Sequence, residues 1–173
     1  MDEELNQKLG KIKLLIMDVD GTLTDSGMYY SDEGESFKRF STRDGMGITL
    51  LHKRGLETAI ITSEDTEIVL ARATKLNIGH VIMGCHNKTQ AFKDLVEKLK
   101  LKLEETAYIG DDVNDYHIMQ LCGASACPSD AVDSIRGISD YVCSARGGYG
   151  AVREFIECIL KSQNKSVLLN ENW

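Results

Sequence analysis

A nearly continuous apolar run, residues 11–17 (KIKLLIM), leads directly into Asp18-Val19-Asp20-Gly21-Thr22. A strand with one wet face alternates apolar and polar residues. A run without alternation reads as a strand covered on both faces, as in a parallel sheet between helical layers. Further short strand candidates lie at 57–61, 80–83, 106–109, 124–127 and 141–143. Between them the sequence predicts helices over 45–54, 65–76, 88–100, 113–122 and 151–161; the last carries the stripe Val152, Phe155, Ile156, Ile159 and Leu160. This alternation implies an α/β fold: a doubly wound, mostly parallel Rossmann-like sheet that binds ligands beyond the carboxyl ends of its strands. One segment departs from the pattern. Met28-Tyr29-Tyr30 and residues 36–40 flank Ser31-Asp32-Glu33-Gly34-Glu35, which predicts a protruding β-hairpin over about 27–41 that overhangs the first strand's loop.

The length of 173 residues suits one domain over 1–173, closed by a polar tail over about 162–173 that ends in Trp173 and is expected to be mobile. The net charge of −7 argues against a nucleic-acid partner, which selects for clustered cations. No apolar run approaches the length of a membrane span, and the acidic residues 1–5 do not resemble the basic start of a signal peptide. A cytoplasmic location is therefore expected. The five cysteines, an odd number without a C-x-x-C pair, read as reduced and buried thiols. His52, His80, His86 and His117 show no metal-ligand spacing and read as structural.

Chemistry concentrates at the strand ends. Alone, Asp18 and Asp20 before Gly21 would signal only an exposed turn. Thr62 and Ser63 end the second core strand, Lys88 follows the third, and Gly110-Asp111-Asp112 follows the fourth with Asp115 beyond. In a doubly wound sheet all of these converge on one crevice. A carboxylate nucleophile, a second carboxyl as general acid and base, a hard divalent ion such as Mg²⁺, and a lysine with Thr62 or Ser63 for the equatorial oxygens together describe phosphoryl transfer.

These four motifs resemble those of the haloacid dehalogenase (HAD) superfamily. The resemblance implies Asp18 as nucleophile, Asp20 as general acid and base, and Asp18, the Asp20 carbonyl and Asp111 around Mg²⁺. It also implies Thr62, Ser63 and Lys88 as phosphate ligands. Asp112 and Asp115 are expected to orient the metal shell. Only 24 residues separate Ser63 from Lys88 and only the hairpin fits after motif one, so the chain is expected to lack a cap domain.

Residues 18–25, Arg43-Asp44-Gly45-Met46-Gly47-Ile48, residues 110–115 and Gly147-Gly148-Tyr149-Gly150-Ala151-Val152-Arg153-Glu154 look like the 3-deoxy-D-manno-octulosonate (KDO) 8-phosphate phosphatase family. That likeness spans roughly residues 10–162. It implies a homotetramer joined by hairpins, and a Gly147-Gly148 loop and C-terminal tail that close over a small anionic sugar-acid phosphate. One departure is informative. KDO 8-phosphate phosphatases usually carry Gly-Arg or Gly-Lys after the motif-two Thr, whereas Ser63-Glu64 with Arg72 and Lys75 is similar to relatives acting on nine-carbon acids such as 2-keto-3-deoxynononate (KDN) 9-phosphate. In those relatives Glu64, Arg72 and Lys75 would line the pocket; the bland alternative is a solvated helix face. Arg43 is a candidate for the substrate carboxylate from a neighbouring subunit, or a surface ion-pair residue. The expected function is a Mg²⁺-dependent phosphatase for an eight- or nine-carbon 3-deoxy-2-keto sugar acid, within lipopolysaccharide or surface-glycan supply. The alternative is a non-catalytic tetramerisation or regulatory domain, which would be free to lose Asp20 or the acidic pair; both are present. A two-component receiver domain carries similar residues in a different order.

Overall fold

In the computed structural model, which describes residues 2–169, the apolar run supplies β1 (Leu14–Met17), and all four of its residues are buried. Leu15 and Met17 join one core cluster, Leu14 and Ile16 the other, so both faces of the strand are covered. That arrangement removes any need for a polar alternate position. After β2 (Tyr29–Ser31) and β3 (Gly34–Phe37) come β4 (Glu57–Ile61), β5 (His80–Ile82), β6 (Thr106–Ile109), β7 (Ala124–Cys127) and β8 (Tyr141–Val142). The main sheet has the order β5-β4-β1-β6-β7-β8, and every pairing in it is parallel. Its winding direction reverses at β1, where a doubly wound sheet opens its crevice.

The helices are α1 (Glu3–Gly10), α2 (Thr42–Lys53), α3 (Glu67–Lys75), α4 (Lys88–Lys98), α5 (Tyr116–Leu121), α6 (Asp133–Arg136) and α7 (Ala151–Ser162). One face of the sheet is packed by α1, α2, α3 and α7 through residues such as Leu9, Leu51, Val69 and Phe155. The other is packed by α4, α5 and α6 through Phe92, Ile118 and Ile135. Three features differ from the sequence expectations. α2 starts at Thr42 rather than 45, because the Ser41 side chain accepts from the Arg43 and Asp44 amides and caps it. α1 forms although only Leu5 and Leu9 mark a stripe, because both bury against the α7 layer while Asp2 caps its start. The residues following α7 are held: Gln163 Nε2 donates to the Leu9 and Ile12 carbonyls, and the Arg54 guanidinium donates to those of Ser166 and Leu168. These contacts fasten the tail as far as Leu169 to the amino-terminal ends of β1 and β4, away from this chain's own crevice. Trp173 lies outside the described residues.

The hairpin pairs Tyr30 with Glu35 and Ser31 with Gly34, so its turn is only Asp32-Glu33, shorter than expected. Gly34, at φ +117°, adopts a conformation that favours glycine at this turn exit. Tyr29 stacks on Phe37 across the strands at 4.5 Å between centroids. A bridge between Thr24 and Phe40 fastens the hairpin's root to the motif-one loop. The cysteines are free, as expected, but only Cys127 and Cys143 are buried. Among the described residues, no helix is long and apolar enough to cross a membrane.

Candidate active site

Asp18 leaves β1 with its amide donating to the Ile109 carbonyl, which continues the β1–β6 ladder into the loop. The chain then wraps tightly: the Thr22, Leu23 and Thr24 amides all donate to the Val19 carbonyl. Gly21 is needed twice over. Its φ is +88°, and a Cβ there would collide with the Asp111 carboxylate. The Thr22 hydroxyl donates to Asp111 Oδ1 at 3.2 Å, so the turn also orients the motif-four acid.

Lys88, the first residue of α4, is buried with its Nζ 2.6 Å from Asp18 Oδ1 and 2.8 Å from Asp115 Oδ1. Asp115 is fully buried and saturated. Its Oδ1 also accepts from the Tyr108 hydroxyl at 2.6 Å, and its Oδ2 from the Asp111 amide at 3.0 Å and more distantly from that of Asp112. Gly110 makes room for that carboxylate, since a Cβ would run into it. Asp112 caps the short turn 113–115 by accepting from the Val113 amide. Asp115 thus fixes Lys88 and the motif-four backbone at once. The Thr62 hydroxyl accepts from the Glu64 amide at 3.3 Å, holding the motif-two turn.

These side chains open onto a cavity of about 260 Å³ lined by Asp18, Asp20, Ser26, Thr62, Ser63, Glu64, Asp111, Asp112 and Asn114. Its electrostatics call for a cation. One carboxylate oxygen from each of Asp18, Asp111 and Asp115 lies within 4.8 Å of the others, with only the Lys88 ammonium among them. Burial, then the Asp115 charge, pushes the Asp111 carboxyl up to about 7. The same two causes raise Asp18 well above the carboxylate range despite Lys88. Burial works against the Lys88 ammonium, but the Asp18 and Asp115 carboxylates outweigh it and keep the group protonated. A hard divalent ion suits this oxygen-only donor set and would relieve the repulsion. Asp18 and Asp111 fit as its ligands, whereas the lone pairs of Asp115 are already committed.

Three of the expected substrate residues lie elsewhere in the chain. Arg72 donates to the Ser41 carbonyl at 2.9 Å, sits over the Phe40 ring, and with Lys75 lines a separate cavity beside Gly45 and Met46. Arg43 is exposed at another hollow, shared with Arg39, Gly148 and Tyr149. The Gly147-Gly148 loop does not cover the crevice. It lies against the motif-one backbone, where a Cβ at either glycine would strike the carbonyls or amides of residues 21–25. Of the pocket extension only Glu64 reaches the cavity.

The sequence reading missed Lys38. It follows β3, its side chain is fully buried, and its Nζ sits 2.8 Å from Asp20 Oδ1 and 2.7 Å from Glu35 Oε1, the latter an ion pair not aligned as a hydrogen bond. Nothing in a charged hairpin strand distinguishes such a lysine from a solvated one. Tyr108 was likewise hidden within an apolar strand.

The haloacid dehalogenase-like hydrolase model matches residues 54–156. The chain is 42% identical to the KDO 8-phosphate phosphatase of Escherichia coli K12 over 158 residues, 91% of this chain and 84% of that protein. It is 39% identical to that of Haemophilus influenzae over 94% of this chain and 90% of that one. Among solved structures, the Moraxella catarrhalis KDO 8-phosphate phosphatase in complex with magnesium, phosphate and KDO superposes with a TM-score of 0.92 at 40% identity, covering 95% and 94% of the two chains. The chain belongs to the haloacid dehalogenase-like hydrolases and, among them, to the KDO 8-phosphate phosphatase family. It is thus a phosphomonoesterase by family and by the composition of its crevice.

Proposed function

We propose that this protein is a Mg²⁺-dependent phosphatase that hydrolyses KDO 8-phosphate through an aspartyl-phosphate on Asp18. The observation that carries the reading is the convergence of Asp18, Asp20, Thr62, Ser63 and Asp111 on one cavity, with Lys88 bonded to Asp18 behind it. The Moraxella relative holds magnesium, phosphate and KDO. Asp18 and Asp111 with the Asp20 carbonyl would hold the ion; when bound, Mg²⁺ neutralises the charge between carboxylates and phosphoryl oxygens.

In the first half-reaction an Asp18 oxygen attacks phosphorus, the bond to the sugar oxygen breaks, and Asp20 gives that oxygen its proton. In the second, Asp20 takes a proton from water as the water attacks phosphorus, which releases inorganic phosphate and restores both carboxyl groups. Lys88, the Thr62 hydroxyl and Ser63 bind the equatorial oxygens, where charge is spread. With no cap domain over the crevice, water exclusion would fall to a neighbouring subunit, in line with a homotetramer built on the hairpins. A cytoplasmic location belongs to this reading. No nucleic-acid or membrane partner belongs to this reading.

A nine-carbon substrate is the second reading, and Glu64 in the cavity wall is the observation that favours it. Phosphate release from KDO 8-phosphate and KDN 9-phosphate, with and without Mg²⁺, tests both. Activity retained by Asp18→Asn would overturn the covalent mechanism.

A further inference from the structure

The hairpin is tied to the chemistry as well as to the surface. Lys38 Nζ donates to Asp20 Oδ1 at 2.8 Å, and the Thr24 hydroxyl reaches the same oxygen at 3.4 Å. Asp20 Oδ2 is buried and has no hydrogen-bond partner. The two oxygens of one carboxylate are therefore unequal: Oδ1 is held by two donors, while Oδ2 has none among the described residues. Lys38 is itself held on each side. Glu35 Oε1 lies 2.7 Å from its Nζ as an ion pair, and Nζ also donates to Met28 Sδ at 3.8 Å. Met28 precedes β2, and Glu35 and Lys38 lie in and just after β3, so the anchor is built by the hairpin's root, which Thr24–Phe40 pairing fastens to motif one.

We propose that Lys38, backed by Glu35, is a positioning residue that pins Asp20 by Oδ1 and so fixes the orientation of the carboxyl toward the leaving-group oxygen. The inference rests on the general-acid role given to Asp20 above. Without the pin, the carboxyl rotates about its terminal torsion, which is broad and roughly two-fold, and proton delivery loses its alignment. The hairpin then links assembly surface and proton transfer in one element.

The test compares Lys38→Met with wild type and Asp20→Asn on two esters: KDO 8-phosphate, whose alkoxide leaving group needs a proton, and 2,4-dinitrophenyl phosphate, whose leaving group does not. The readout is kcat/KM, which ends at transfer to Asp18 and is blind to later hydrolysis. For Lys38→Met, kcat/KM on the sugar ester is expected to fall about ten- to hundredfold, a part of what general acid catalysis supplies. On the aryl ester it should stay within about threefold. Lys38→Arg, which restores a donor, should recover part of the loss. Equal loss on both esters, or loss on neither, overturns the positioning role. If Asp20→Asn itself shows no dependence on the leaving group, the general-acid reading fails and takes this inference with it; if Asp20→Asn shows it and Lys38→Met does not, only the inference fails. Should Lys38→Met not fold, Glu35→Gln serves in its place, with a selective loss of about three- to tenfold expected and an equal loss on both esters as the refuting result.

Discussion

The Tyr108 phenol donates to Asp115 Oδ1, the same oxygen that receives the Lys88 ammonium. Burial, followed by the nearby Asp115 and Asp18 charges, raises the phenol well above its usual range, so it remains a donor. A side chain in the middle of the sheet thus secures the acid that secures Lys88. Tyr108→Phe removes one neutral donor and should cost about 1 kcal/mol, which in a domain of this size lowers Tm by roughly 2–4 °C. Asp115→Asn takes one partner from a buried ion pair and should cost more, about 3–5 kcal/mol. Thermal unfolding of both variants reads the difference. Equal costs would mean that Asp115 is not the hub.

The acidic cluster predicts a metal-dependent stability. Mg²⁺ should raise Tm in a concentration-dependent way, stabilising the fold by about 2.7 kcal/mol once its concentration is a hundred times Kd. Asp111→Asn should lose most of that shift. In the absence of metal it should melt no lower than wild type, because the substitution removes a charge repelled by Asp115. A chelator should abolish activity, with Mg²⁺ restoring it and Ca²⁺ doing so poorly because of its larger, looser shell. Full turnover in chelator would refute the assignment.

Glu154 gives a pH signature remote from the metal. Burial opposes its charge, but the Ser144 and Ala145 amides and the Tyr141 hydroxyl all donate to it, and the net effect holds it below its usual 4.5. These bonds anchor the start of the loop that seats Gly147 and Gly148 under motif one. A lowered folded-state value means a contribution that is complete above pH 4.5 and is lost as pH falls through the folded value. The Tm gap between wild type and Glu154→Gln should therefore be widest at neutral pH and narrow below about 4.5. Melting curves across that range decide it; a gap indifferent to pH would refute the linkage.

How far the sequence could be read depended on which interactions were local. Strand ends were legible because both-face burial leaves an unbroken apolar run and chemistry begins where it stops, as at Met17-Asp18 and Ile109-Gly110. Asp18, Asp20, Thr62, Ser63, Lys88 and Asp111 followed from that rule. Lys38 did not, since the carboxylate it donates to, Asp20, lies eighteen positions earlier. Arg72 and Lys75 share a helix with an ordinary charge pattern, and only tertiary packing on Ser41 and Phe40 turns Arg72 away from the crevice. α1 was invisible for a related reason: two leucines make a helix only when another layer covers them.

The hairpin leaves Tyr30 67% and Phe37 56% exposed beside Met28 and Tyr29. Apolar edge strands of this kind call for a cover. A closed homotetramer would supply it. Sedimentation at working concentration should show an assembly, and Tyr30→Glu should shift it to smaller species. A stable, fully active monomer would refute this.

On the second reading, Glu64 would set the substrate's length. The substrate bears a phosphate and a carboxylate on a protein of net charge −7, so a carboxylate in the cavity wall must face hydroxyls rather than the acid group. As an acceptor it would bind sugar hydroxyls and repel a misplaced carboxylate. Arg43, Arg72 and Lys75 line other hollows and not the cavity that holds Glu64. Glu64→Arg should therefore improve use of KDO 8-phosphate relative to KDN 9-phosphate. A hydrogen-bonded contact of this kind is worth roughly 1–3 kcal/mol, or about ten- to a hundredfold in the ratio of kcat/KM values. The ratio measured for both esters with wild type and variant is the test. An unchanged ratio would reduce Glu64 to an acid at the mouth of the motif-two turn and leave the eight-carbon ester as the sole reading.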